Sequence, residues 1–188
     1  MSRRSLLGAM LALVLLAAPV LASTFVAFDS ERMVGESDAV VQGRVIGVES
    51  FWDDQGRIIV TEARVLVEEA ILGAPESIVL VRTPGGSVGS FLVEAHGFPK
   101  LERNAEVILF LDRARADGTR QLVGHQQGHF GVVERLDGVR MAVPAIEDGV
   151  RFLLPSGRPM PEPQSIEVEV LKNRVRGIAE RAGRPLAR

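Results

Sequence analysis

Ala39-Val40-Val41-Gln42-Gly43-Arg44-Val45-Ile46-Gly47-Val48-Glu49-Ser50-Phe51, then Asp53-Asp54-Gln55-Gly56, then the run from Ile58 to Glu69: two β-branched segments flank four turn-forming residues. In the first segment Val41, Gly43, Val45 and Gly47 have one parity and Val40, Ile46 and Val48 the other. That imperfect alternation is expected of a strand that changes its buried face. The second segment places Ile59, Thr61, Ala63, Val65 and Val67 on one side, because successive strand side chains point to opposite faces. The acidic turn ending in Gly56 joins the two as a hairpin, and the sequence predicts a mainly β protein.

Outward from this hairpin the same pattern repeats. Gly73-Ala74-Pro75 breaks the chain, and the continuous apolar run Ile78-Val79-Leu80-Val81 suits a central strand over 77–83. Further strands are expected over 90–95, 105–112, 121–124 and 130–135, with Asp137-Gly138 turning the last into Val139–Val143. About eight short strands with Gly-rich turns point to a closed barrel or sandwich rather than a layered α/β fold. Pro155, Pro159, Pro161 and Pro163 prevent regular pairing, so residues 154–164 read as a linker or wrapping arm. Residues 165–183 read as a C-terminal helix with Ser165 as N-cap and Val168, Leu171, Val175, Ile178 and Ala182 at spacings of three and four. Its apolar stripe needs a surface, either the β domain of residues 23–153 or another protein. A short helix capped by Ser30 and turning Met33 and Val34 inward is expected over 30–37.

Residues 1–22 have the pattern of a cleavable signal peptide: Arg3 and Arg4, an apolar run from Leu6 to Leu16, Pro19, and small or modest side chains at Val20-Leu21-Ala22. Cleavage is expected before Ser23. The apolar run is shorter than the roughly 20 residues a spanning helix needs, so no membrane insertion is expected after cleavage. The protein is thus expected to be exported, periplasmic or secreted. Ser2-Arg3-Arg4-Ser5-Leu6-Leu7 also resembles a twin-arginine leader, which leaves the route open between that and the general one. The chain contains no cysteine, which excludes thiol catalysis, Cys-ligated zinc and a lipid-anchored terminus, and leaves the core alone to hold the fold. Loss of Arg3 and Arg4 takes Lys+Arg from 22 to 20 against 24 Asp+Glu. The mature net charge is near −4, and nucleic acid is not an expected partner.

Ser37-Asp38-Ala39-Val40-Val41-Gln42-Gly43-Arg44-Val45, Val67-Glu68-Glu69-Ala70-Ile71-Leu72-Gly73 and Glu106-Val107-Ile108-Leu109-Phe110-Leu111 together resemble the opening of netrin-like modules, the OB-type barrels of tissue inhibitors of metalloproteinases. The likeness covers residues 36–112 and implies an OB-like closed barrel of short antiparallel strands, followed here by the C-terminal helix. Those inhibitors grip a metal through an N-terminal cysteine, which this chain lacks, so only the barrel carries over. The chain also resembles a group of uncharacterised exported bacterial proteins with a glycine loop, here Pro84-Gly85-Gly86 to Gly89, a Gly97-Phe98-Pro99 element and a Gln127-Gly128-His129-Phe130 element.

For chemistry, His125-Gln126-Gln127-Gly128-His129 superficially resembles the helical HExxH pair of zinc hydrolases. Gln126 stands where the general base would be, and Gly124, Gly128 and Gly131 oppose a helix. On a strand the two histidines would lie roughly 13 Å apart, too far for one ion unless the chain turns at Gly128. A metal-dependent hydrolase using His125, His129 and His96 is therefore the alternative, and no cofactor is expected. The glycine loop lacks the lysine and following helix of a nucleotide site. Ser87 and Ser90 have no assignable base, and the adjacent carboxylates Asp53-Asp54 and Glu68-Glu69 should point to opposite faces. Trp52 beside Phe51 reads as a core aromatic or an exposed binding one. The favoured expectation is a noncatalytic module that binds a protein or surface partner through Gly85, Gly86, Gln127, Gly128 and Phe130.

Overall fold

The structure is a computed structural model that describes residues 23–187; the segment 1–22, expected to be a signal peptide, lies outside them. In chain order the elements are β1 (Thr24–Val26), α1 (Ser30–Glu36), β2 (Ala39–Trp52), β3 (Ile59–Leu72), β4 (Ile78–Pro84), β5 (Gly86–Val88), β6 (Phe91–Val93) and β7 (Glu106–Leu111). They continue with β8 (Thr119–Arg120), a 3-10 turn (His125–Gly128), β9 (His129–Glu134), β10 (Arg140–Pro144), β11 (Arg151–Leu153), β12 (Ile166–Glu167) and α2 (Val168–Arg181). The hairpin is the spine: β2 and β3 pair antiparallel from Trp52–Ile59 to Val40–Leu72, with irregularities after Val40, Gln42 and Val45 that let the long ribbon bend. Its turn closes as the sequence predicts, with the Asp53 amide donating to the Ile58 carbonyl at 2.8 Å.

The main sheet has eight strands in the order β12-β10-β9-β7-β2-β3-β4-β8. Its two ends do not pair with each other, so the expected closed barrel is corrected to an open sheet. Both terminal strands are two residues long, too short to bridge a seam. β12 passes directly into α2, and β8 lies parallel to β4 for Leu80–Thr119 and Val81–Arg120 only. The expected strand over 121–124 is corrected as well. Leu122 makes one isolated bridge to Leu111, and the chain then turns at Gly124, whose φ of 66° suits glycine.

Each face of the sheet has its own core. Val40, Leu72, Ile108, Phe110 and Ala142 face α1 and α2 and pack on Val168, Leu171, Val175 and Ile178. Ala39, Val41, Val45, Val65, Val79, Leu109 and Leu111 form the second cluster on the opposite face. The mixed parity of β2 thus reflects a strand end covered on both sides. The apolar stripe of α2 lies against the sheet, and buried Lys172 fastens it there, with Nζ 2.7 Å from Glu69 and 2.9 Å from Glu169.

Two caps differ from expectation by short distances with clear causes. Asp29, not Ser30, caps α1, its carboxylate accepting from the Arg32 amide at 2.8 Å. α2 starts after Ser165 because Ile166 and Glu167 first pair with β10 as β12. The proline-rich segment folds back on itself, the Met160 amide donating to the Phe152 carbonyl at 2.8 Å. Among the described residues no helix is long and apolar enough to cross a membrane.

Candidate functional site

The glycine loop fixes a small hairpin against the far end of β2–β3. Gly85 (φ +90°) donates its amide to the Ile59 carbonyl at 2.9 Å and abuts Val93 and Ala95 so closely that a Cβ would sit 2.8 Å from the Val93 oxygen. At Gly86 (φ +130°) a Cβ would overlap the hydroxyls of Thr61 and Ser50. Those hydroxyls bond each other at 2.8 Å, and Thr61 donates onward to the Gly85 carbonyl at 2.7 Å. With no side chain in the way, β5 lies directly on the ribbon and pairs with β6 through Gly86–Val93, Ser87–Leu92 and Val88–Phe91.

That placement exposes β6. Phe91 and Leu92 are 60% and 70% solvent-accessible, and Val93, Ile58 and Trp52 are also exposed. The Trp52 and Phe91 rings meet edge-on, 5.5 Å between centroids, so the aromatics form one raised apolar cluster. Such clusters mark interaction sites more often than scattered apolar residues do. Asp53 and Asp54 continue from Trp52 and Glu94 from Val93, while Arg57 precedes Ile58 and Lys100 pairs with Glu94 at 3.7 Å, so the border is of mixed charge. Backbone amides of Arg57 and Ile58 hold the Asp53 carboxyl below its ordinary range, so it stays charged. Phe91, Leu92 and Val93 were not among the residues expected to make contact. Their signal was three successive apolar residues just after a loop, which a strand assignment absorbs without saying that both faces are open.

The histidine segment does turn, as its alternative requires, but the rings part. His125 (φ +57°) packs edge-on against Phe98 at 4.7 Å and tilted against Phe25 at 5.2 Å, and its half-burial lowers its pKa. His129 lies opposite Leu109 in the sheet; burial pushes its pKa down to about 4, and its Nδ1 has no partner. His96 is exposed. Among the described residues no group of three His, Cys, Asp or Glu is placed to hold a metal ion.

Gln127 serves the fold: its Oε1 accepts from the Phe28 amide at 2.8 Å and its Nε2 donates to Val26 and Gly124 carbonyls at 3.1 Å. Fully buried Gln126 similarly accepts from the Glu147 amide at 3.0 Å. A Cβ on Gly128 would collide with the Val123 carbonyl. Phe130 is half-buried, 6.0 Å from the Phe110 ring, and lines a cavity beside α2. The expected contact residues therefore divide. Gly85 and Gly86 belong to the exposed hairpin, whereas Gln127 and Gly128 lie in the 3-10 turn and Phe130 opens onto a different space. Glu68 and Glu69 also separate, to Arg44 and to Lys172 with Arg176.

Compared with protein families, with curated proteins and with solved structures, the chain finds no match.

Proposed function

We propose that this is an exported, noncatalytic β module that binds a protein partner through β6 and the adjoining tip of β2–β3. The observation that carries the proposal is the exposed Trp52–Phe91 pair, beside exposed Ile58, Leu92 and Val93, held outward by a glycine hairpin. Aromatic residues at the centre of a patch carry much of the binding energy in protein interfaces. The mixed-charge border of Asp53, Asp54, Arg57 and Glu94 around this apolar surface suits a protein partner with an apolar centre and a polar rim. Export follows from Arg3, Arg4 and the apolar run after them. The netrin-like resemblance over 36–112 supports an OB-type origin for β2–β3–β4 and β7 within the open sheet.

The test is capture of partners from the exported fraction by the protein and by a Phe91→Asp/Leu92→Asp variant. Both side chains are exposed, so the variant should keep its thermal transition. The proposal expects a specific captured protein that the variant loses. Equal capture by both proteins rules out this surface.

A further inference from the structure

A second space, on the opposite face from β6, has the features of a small-molecule site. Between α1, α2 and β9 lies a cavity of about 450 Å3, walled by Met33, Val34, Phe130, Leu171, Val175 and Ile178 and roofed by Met160 and Pro163 of the proline-rich arm. Its size falls within the roughly 300–1,000 Å3 of ligand pockets, which are mostly apolar with a few polar groups that orient the ligand. The amide of Gln127, which reaches the wall, is already engaged by Phe28, Val26 and Gly124. Among the described residues one charged group lines the cavity: Arg174, on the exposed side of α2. Its helix neighbours Lys172 and Arg176 are both ion-paired with Glu69. Arg174 makes no ion pair among the described residues, and positions 170, 171, 177 and 178, one turn to either side, are Val, Leu, Gly and Ile. An unpaired guanidinium beside an apolar cleft matches a ligand with an apolar tail and an anionic head, because Arg recognises carboxylate and phosphate alike through paired N–H donors.

We infer that the cavity between α1, α2 and the proline-rich arm binds a single-chain amphiphile with an anionic headgroup, its tail against Met33, Phe130 and Val175 and its head on Arg174. This site is independent of the β6 surface.

Calorimetric titration of the delipidated protein tests it with dodecanoate, dodecyl phosphate and 1-dodecanol, each below its micelle threshold. The inference expects one saturable site per chain and at least tenfold tighter binding of an anionic amphiphile than of the alcohol; whichever anion binds tighter identifies the head. Arg174→Gln, at an exposed position that leaves the fold intact, should abolish the preference and leave dodecanol binding unchanged. Phe91→Asp/Leu92→Asp should alter neither. Equal affinity for alcohol and anions, a preference that survives Arg174→Gln, or no saturable binding by protein with an intact thermal transition overturns the inference.

Discussion

The two ends of the β2–β3 ribbon are built from the same kind of sequence and are covered to different extents. At the base, Val40, Val41, Val45, Val65 and Leu72 are essentially inaccessible, because helices cover one face and the second cluster covers the other. At the tip Ile59 and Val60 stay buried but Val48 and Trp52 are exposed, and the cover shrinks to a three-residue pair of strands that itself turns Phe91 and Leu92 outward. Burial in this protein is thus decided by what crosses over a strand and not by the strand's own residues. An apolar residue costs nothing to place in the base and remains available for contact at the tip.

The comparison breaks most directly by truncation. Leu72→Ala should destabilise the protein by about 2–5 kcal/mol, through lost burial and a cavity the doubly covered base cannot collapse. Leu92→Ala should change stability by less than about 0.5 kcal/mol. Urea midpoints of the two variants measure the contrast, and similar losses would show that the tip is core.

Acid should also act on the covered region. His129 sits near pH 4 in the folded protein against an ordinary value of 6.5 because burial disfavours its charged form. The unfolded chain therefore binds the extra proton between those values while the folded one does not. Stability is fully present above about pH 6.5 and falls by about 3 kcal/mol as the pH drops to 4. His129→Leu should flatten that part of the profile in urea melts at successive pH values; an unchanged slope would place the acid sensitivity elsewhere.

At the tip, Gly86→Val must shift β5 off Ser50 and Thr61 and adopt a backbone angle hostile to a β-branched residue. A loss of about 1–3 kcal/mol is expected, together with loss of partner capture, read by melting and pull-down on the same preparation. A variant that melts lower yet captures normally would detach the hairpin from binding.

The ribbon, its turn, the apolar run of β4, the Asp137-Gly138 hairpin and the stripe of α2 were all legible, because each is set by local periodicity and turn chemistry. Closure was not. It depends on whether strands far apart in sequence meet, and nothing in Thr119–Arg120 or Ile166–Glu167 announces that these pairs end the sheet. At the candidate site, Gly85 and Gly86 were visible as glycines, but their purpose lay in the Ser50 and Thr61 hydroxyls beneath them, which only the folded register brings together. Gln127 is expected as a contact residue, and its amide also clamps Val26 and Phe28, a partnership spanning about a hundred residues that no local pattern encodes.

The central claim concerns β6, and a photo-reactive residue placed there tests it most directly. A benzophenone side chain in place of Leu92 should, on irradiation in the exported fraction, yield one discrete adduct. The same group in place of Leu136, a still more exposed leucine in the β9–β10 turn, should not. Adducts at Leu136 and none at Leu92 would contradict the account and move the contact surface to the β9–β10 turn.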